Sequence, residues 1–241
     1  MELHYFQKGF NYSQDGPGNR LVYHLQGCNL RCRWCSNPEG WEAGASCTAE
    51  SVPDMVAYAK SCEAMFFDGG GVTLTGGEPT QQFEAVKAFF TGLKAAGIRT
   101  ALETNGTHRH IEELFPLVDS WMMDFKHYDS ALHKEYIGAG NEQIKDSFRK
   151  AAAAHKPLDA RILLIPHFNA DVKHIPGFLE FFKSIDTSNM TFEFLIYHEF
   201  GKDKWKKAGM LYDMPHEFVP KETLAAFQNA FIENGFHLIH T

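Results

Sequence analysis

The chain has 241 residues, 44% of them apolar and 14% aromatic, which argues against a disordered or low-complexity protein. It carries 23 basic against 30 acidic side chains, a net charge of −7, so broad binding to nucleic acid or an anionic membrane surface is not expected. The first residues, MELHYFQKGFNYSQDG, hold no apolar leader core, and no apolar run reaches about 18 residues, so a cytoplasmic protein with no membrane partner is expected.

Read in chain order, short β-branched or aromatic runs bounded by Gly, Pro or polar residues predict strands at 20–26, 71–75, 99–104, 120–126, 160–166 and 191–197. Helical patterns fill the intervals. AESVPDMVAYAKSCEAMFF carries a capping Ser51 and a Pro53 in its first turn, and TQQFEAVKAFFTGLKAAGI stops at Gly97. RHIEELFPLV, DSALHKEYIG, NEQIKDSFRKAAAAH and KHIPGFLEFFKSI follow, and the last helical pattern, KETLAAFQNAFIENG, stops at Gly235. Strands alternating with helices predict a parallel sheet of βα units. With six units and no linker, the expected fold is α/β: one domain over 1–241, a partial (β/α)6 TIM-like barrel. A closed eight-unit barrel usually takes about 250 residues.

In such a sheet the strand ends open on one face, and active sites sit there. Gly76-Gly77-Glu78-Pro79 follows the second predicted strand, Asn105-Gly106 follows the third, which ends in Glu103-Thr104, Asp124 to Lys126 end the fourth, and His198-Glu199 follows the sixth. Arg161, early in the fifth, fits that geometry least well. The plain alternative is that loops are polar because they are loops.

The cysteines are Cys28, Cys32, Cys35, Cys47 and Cys62, an odd number without a leader, which does not read as a disulfide framework. The first three stand at C-x3-C-x2-C spacing directly after the first predicted strand. Iron–sulfur cubes usually take four thiolates; three leave one iron with an open position, as a catalytic metal keeps one for its substrate. A structural zinc of the Cys3His type is the competing reading, although such sites usually pair two short clusters and Cys47 and Cys62 stand alone.

C-x3-C-x-aromatic-C after the first strand and G-G-E-P after the second resemble the radical S-adenosylmethionine superfamily. D-G-P-G-x-R (Asp15 to Arg20), GGGVTLTGGEP, L-E-T-N-G, M-D-F-K and Y-H-E-F-G-K-D-K-W resemble, in order, the glycyl radical enzyme-activating enzymes, and the last is especially like the pyruvate formate-lyase-activating branch. The resemblance implies a partial barrel of the radical S-adenosylmethionine type with a [4Fe–4S] cluster on Cys28, Cys32 and Cys35. It implies that the open iron takes the amino and carboxylate groups of S-adenosylmethionine, that one electron splits the sulfonium, and that the resulting 5′-deoxyadenosyl radical takes a hydrogen from a backbone glycine of a partner enzyme. The reductant it implies is a flavodoxin or ferredoxin. A radical enzyme acting on a small molecule is the alternative, and a cluster- or zinc-bearing module without catalysis is a third.

The resemblance assigns the cofactor contacts. Bare backbone at Gly76 and Gly77 would let the ligand approach, and Glu78 would accept from its ammonium. Asp124 and Lys126, two apart on one strand and so on one face, would meet its ribose and methionine portions with the Phe125 backbone. His198 would lie against adenine, touched also by the backbones of Trp34 and Ser36, while the Trp34 ring shields the cluster. Arg161 is either a carboxylate partner or structural. Glu103, where the pyruvate formate-lyase-activating branch is expected to carry Asp, would with Thr104 hold a monovalent cation. SNPEGW (36–41) resembles longer relatives that insert a ferredoxin-like domain, yet only residues 36–75 separate Cys35 from Gly76 and they hold two cysteines, too few for further cubes. No ferredoxin-like insert is expected. Asp15–Arg20 is expected either to meet the partner or to be a turn, Lys202, Lys204, Lys206 and Lys207 either to steer a partner or to be a solvated face, and most of the 13 histidines to be exposed.

Overall fold

The computed structural model of the chain describes residues 1–42 and 47–239. The strands follow the order β3-β1-β2-β4-β5-β6-β7-β8 in one sheet, with β3 and β8 at its open ends. The chain forms two compact units, residues 1–29, 37–104 and 110–122, and residues 30–36, 105–109 and 123–241.

In the first unit β1 (Glu2–Tyr12) pairs antiparallel with both β2 (Asn19–Leu25) and β3 (Thr48–Ser51). Strand β2 pairs in parallel with β4 (Gly71–Gly76), and β4 with β5 (Thr100–Thr104). Between them run α1 (Val52–Ser61), capped as expected by Ser51 accepting from the Asp54 amide, and α2 (Phe83–Ala95). Strands β1 and β3 were not expected. Of β1 only Leu3 and Tyr5 are buried, so its sequence lacks the apolar run that marked the others. RHIEELFPLV makes a single 3-10 turn, Ile111–Leu114, instead of an α-helix. Pro116 has no N–H to continue it, and its ring would clash with the Glu112 carbonyl.

Asp15–Arg20 folds as the turn into β2. Arg20 is 1% exposed; its Nε donates to Thr73 Oγ1 at 2.6 Å and its Nη2 to the Val72 carbonyl at 2.8 Å, while Thr73 Oγ1 donates to the Asp15 carbonyl. Burial lowers the guanidinium pKa to about 10, so it remains charged at neutral pH. This arginine stitches the D-G-P-G turn to β4.

Strand β6 (Ser120–Asp124) leads into the second unit, which holds α3 (Ser130–Ile137), α4 (Glu142–Ala153), β7 (Leu158–Leu164), α5 (Ile175–Lys183), β8 (Met190–Ile196), α6 (Lys202–Lys207) and α7 (Lys221–Glu233). Strands β7 and β8 are parallel neighbours. The amphipathic faces of α4, α5 and α7 close over a phenylalanine core. Phe125 stacks on Phe181 with centroids 4.5 Å apart, and Phe182 meets Phe125, Phe148, Phe192, Phe231 and Phe236 edge to face. Such pairs add about 0.5–1.5 kcal/mol each beyond burial. Phe182→Ala is therefore expected to cost about 3–5 kcal/mol, read as a lower denaturant midpoint at unchanged slope.

Not all the histidines are exposed. His127, His133 and His174 are buried in this unit. His127 Nδ1 accepts from the Asp129 amide at 2.8 Å, and burial drives its pKa down to about 4, so it is neutral at physiological pH.

Candidate functional site

Cys28 follows β2 in the first unit, and its peptide is held from both sides. Its amide donates to the Trp41 carbonyl at 3.1 Å and the Gly27 amide to the Gly40 carbonyl at 2.8 Å, so part of SNPEGW lies along the strand's exit. Gln26 fixes that loop by donating to the Glu39 and Glu42 carbonyls. Cys28 also lines a cavity of about 530 Å³ with His4, Gln26, Trp41, Gln81 and Gln82.

The turn after β4 packs against the same backbone. The Gly77 amide donates to the Leu25 carbonyl at 2.9 Å and the Glu78 amide to the Gly27 carbonyl at 2.7 Å. A Cβ on Gly76 would stand 2.4 Å from the Leu25 nitrogen, and one on Gly77 2.3 Å from the Gly27 oxygen and 2.7 Å from the Gly40 oxygen. The sequence reading gave these glycines to a ligand's approach; what crowds them here is the chain itself. They let the turn seat on the peptide that carries Cys28.

Glu78 is fully buried and caps the 3-10 turn Pro79–Gln82. Its Oε1 accepts from the Thr80 amide at 3.0 Å, from Thr80 Oγ1 at 2.5 Å and from Thr104 Oγ1 at 2.7 Å. Beside it Glu103 accepts from the Thr75 hydroxyl. The structure thus gathers Glu78, Thr80, Thr104, Thr75 and Glu103 at the ends of β4 and β5. Thr75 and Thr80 were not anticipated, because a lone Thr next to a motif carries no signal of its own.

In the second unit Cys32 and Cys35 share a tight turn, the Cys35 amide donating to the Cys32 carbonyl at 3.0 Å. The residues flanking Cys32 are tied down: the Arg31 amide donates to the Ile137 carbonyl at 2.8 Å and the Arg33 amide to the Tyr136 carbonyl at 3.3 Å. These are last-turn carbonyls of α3, which have no acceptor role left within their own helix. Trp34 is 5% exposed and packs on Phe168, centroids 4.9 Å apart. On the far side of the loop Trp205 Nε1 donates to the Cys35 carbonyl at 2.8 Å. A Cβ on Gly201 would lie 2.6 Å from that same oxygen and 2.8 Å from Ser36 Cα. Sequence reasoning missed Gly201 and Trp205. They stand four residues apart in G-K-D-K-W, the spacing of one helix face, but the lysines drew that segment toward a reading of charge.

Strand β6 ends at Asp124, so Lys126 is not on the strand as expected, yet its Nζ donates to Asp124 Oδ2 at 2.6 Å with the lysine largely buried. The Phe125 side chain points the other way, into the aromatic core, and its amide donates to the Arg161 carbonyl at 2.8 Å. Arg161 sits directly opposite Glu193 across β7 and β8, Nε to Oε2 2.7 Å, and both are buried. Removing either partner would strand the other, at about 3–5 kcal/mol. His198 lies past the end of β8 with its ring stacked on Phe200 at 4.1 Å; burial lowers its pKa and favours the neutral imidazole.

None of the five cysteines is in a disulfide and all are partly exposed, a donor set that suits thiolate ligation of an iron–sulfur cluster. Among the described residues no three His, Cys, Asp or Glu side chains are already drawn together as a metal-binding group, and no helix is long and apolar enough to cross a membrane.

A model of the radical SAM superfamily matches residues 22–179. The chain is 35% identical over 217 residues to the pyruvate formate-lyase-activating enzyme of Staphylococcus aureus (strain USA300), covering 86% of each. A solved domain of the pyruvate formate-lyase-activating enzyme from Bacteroides vulgatus superposes with a TM-score of 0.59 at 27% identity, over 71% of this chain and 98% of that one. Streptococcus suis SuiB, bound to its precursor peptide SuiA, shares the fold at a TM-score of 0.66 and 15% identity, over 91% of this chain and 48% of that one. The α/β sheet, the C-x3-C-x2-C loop and these relationships together establish the chain as a radical S-adenosylmethionine enzyme of the pyruvate formate-lyase-activating family, whose cofactors are a [4Fe–4S] cluster and S-adenosylmethionine.

Proposed function

We propose that this protein installs a glycyl radical on a partner enzyme, pyruvate formate-lyase or a related one. The observation that carries this is the 35% identity over 86% of both chains, together with a superfamily match over residues 22–179 that contains the cysteine loop. On this reading Cys28, Cys32 and Cys35 are the cluster's three protein ligands, and the fourth iron is left for the cofactor. When bound, the cluster supplies the electron that cleaves the S-adenosylmethionine sulfonium.

The chain's own residues then bind and orient. Glu78, held rigid by Thr80 and Thr104, meets the cofactor's ammonium. The Asp124–Lys126 pair and the Phe125 backbone take its ribose and methionine portions, and His198, neutral, offers a flat face to adenine. Trp34 and Ser36 contribute backbone, Arg161 a second-rank contact through its strand, and Glu103 with Thr104 the oxygens for a monovalent cation. The chain acts as one radical S-adenosylmethionine domain with one cluster, in the cytoplasm, reduced by a flavodoxin or ferredoxin.

Lys202, Lys206 and Lys207 are exposed on α6, consistent with encounter with an acidic partner or donor. Lys206→Glu with Lys207→Glu is expected to slow activation severalfold at low salt, an effect that fades as salt rises, while cofactor cleavage with a chemical reductant keeps its rate. The direct test of the function is electron paramagnetic resonance of candidate partners incubated anaerobically with the reduced protein and cofactor. A glycyl doublet on the partner is the expected result. Cofactor turnover without any protein radical, across glycyl radical enzymes of every available class, would point to a small-molecule substrate.

A further inference from the structure

The loop that carries Cys32 and Cys35 is braced on two sides, and only one brace is explained by ordinary helix ends. Carbonyls of Tyr136 and Ile137 receive the amides beside Cys32 and thereby satisfy the terminus of α3. The other brace is a buried indole. Trp205 is 6% exposed and spends its only donor on the Cys35 carbonyl at 2.8 Å, 170 residues away in sequence. Gly201, at the start of the same short helix, brings its backbone so close that a methyl there would meet the Cys35 oxygen at 2.6 Å. Two features of α6 thus converge on one peptide group, the one joining Cys35 to Ser36.

We propose that Trp205 is a positioning residue for the cluster: its indole N–H fixes the Cys35–Ser36 peptide, and Gly201 is the clearance that lets it do so. The inference rests on the reading of Cys35 as a cluster ligand. A carbonyl held by a donor cannot rotate freely, so the Cys35 Cα–Cβ bond keeps one direction and the sulfur is confined to the few χ1 rotamers about it. The same bond holds the Ser36 backbone in place for the cofactor. Groups that orient metal ligands in this way commonly matter about 10–100-fold for metal affinity or activity. The lysines of the segment are then incidental to this role: Lys202, Lys206 and Lys207 point to solvent, while Gly201 and Trp205 are buried.

Trp205→Phe keeps an aromatic ring in the site but removes the donor together with part of the indole's volume, so the comparison is made between proteins of matched stability. At equal iron loading and a matched Tm, the variant's reduced cluster is expected to show shifted g values and a shifted midpoint potential. Its cleavage of S-adenosylmethionine should slow roughly tenfold or more. Gly201→Ala leaves the indole and pushes on the same carbonyl, so the same spectroscopic signals should move; if Trp205→Phe does not fold, this variant decides. Wild-type spectra, potential and rate in the variants would overturn the inference while leaving the function intact. Cys35→Ala runs alongside: a full, S-adenosylmethionine-cleaving cluster in that variant would take down the ligand assignment and this inference together.

Discussion

Cys32→Ala is expected to retain no stable [4Fe–4S] cluster after anaerobic reconstitution and to release no 5′-deoxyadenosine. The loss should be complete, because three protein thiolates are the minimum that leaves one iron open, and two cannot hold the cube. The chain's other thiols lie outside the C-x3-C-x2-C loop: Cys47 just precedes β3 and Cys62 is the C-cap of α1. The fold itself should survive. Cys32 is partly exposed, and the amides on either side keep their α3 carbonyls, so the Tm of the apoprotein should move by less than about 0.5 kcal/mol equivalent. Cys62→Ala serves as the control and should behave as wild type in iron content and turnover. A Cys32→Ala protein that still makes 5′-deoxyadenosine means the ligands have been misassigned.

Gly77→Ala should be nearly as damaging, by a different route. The added methyl would sit 2.3 Å from the Gly27 oxygen and 2.7 Å from the Gly40 oxygen, both backbone atoms that cannot swing aside. Either the turn after β4 lifts off, breaking the Glu78 amide's bond to the Gly27 carbonyl, or the peptide leading to Cys28 moves. Overpacking of this kind costs about 1–3 kcal/mol or more. The effect on the cluster should exceed the effect on stability, since the displaced peptide carries Cys28, one of the three proposed ligands. The expected result is a folded protein that takes up iron poorly and cleaves the cofactor at a small fraction of the wild-type rate. Gly9→Ala, where nothing lies within 4 Å, should change neither. Normal iron uptake in Gly77→Ala would show that this seat does not matter to Cys28.

These two residues also mark what the sequence made visible. The six parallel-type strands were legible because each is a short β-branched or aromatic run cut off by Gly, Pro or a polar turn, and the cysteine spacing survives any change of fold around it. β1 and β3 were not, because β1 buries only Leu3 and Tyr5 and the four residues of β3 bury none, which leaves no pattern to read. The reason for Gly76 and Gly77 was also hidden. A glycine says that something comes close, without saying whether that is a ligand or the chain's own backbone. Arg20 and Arg161 were ambiguous for a related reason: a buried arginine is recognised by its partners, here Thr73 and Glu193, and those stand 53 and 32 residues away. Trp205 was obscured by its neighbours, four lysines whose charge is easier to see than one inward-facing indole.

The central claim is that three cysteines hold an iron–sulfur cube whose remaining iron is kept for S-adenosylmethionine. Its most direct test is electron paramagnetic resonance of the reconstituted, reduced protein titrated anaerobically with the cofactor. The account predicts a reduced-cube signal that changes shape as S-adenosylmethionine binds, with methionine and 5′-deoxyadenosine then released in equal amounts. A signal indifferent to the cofactor, with the cofactor recovered intact, would contradict it, as would one zinc per chain in place of iron and sulfide.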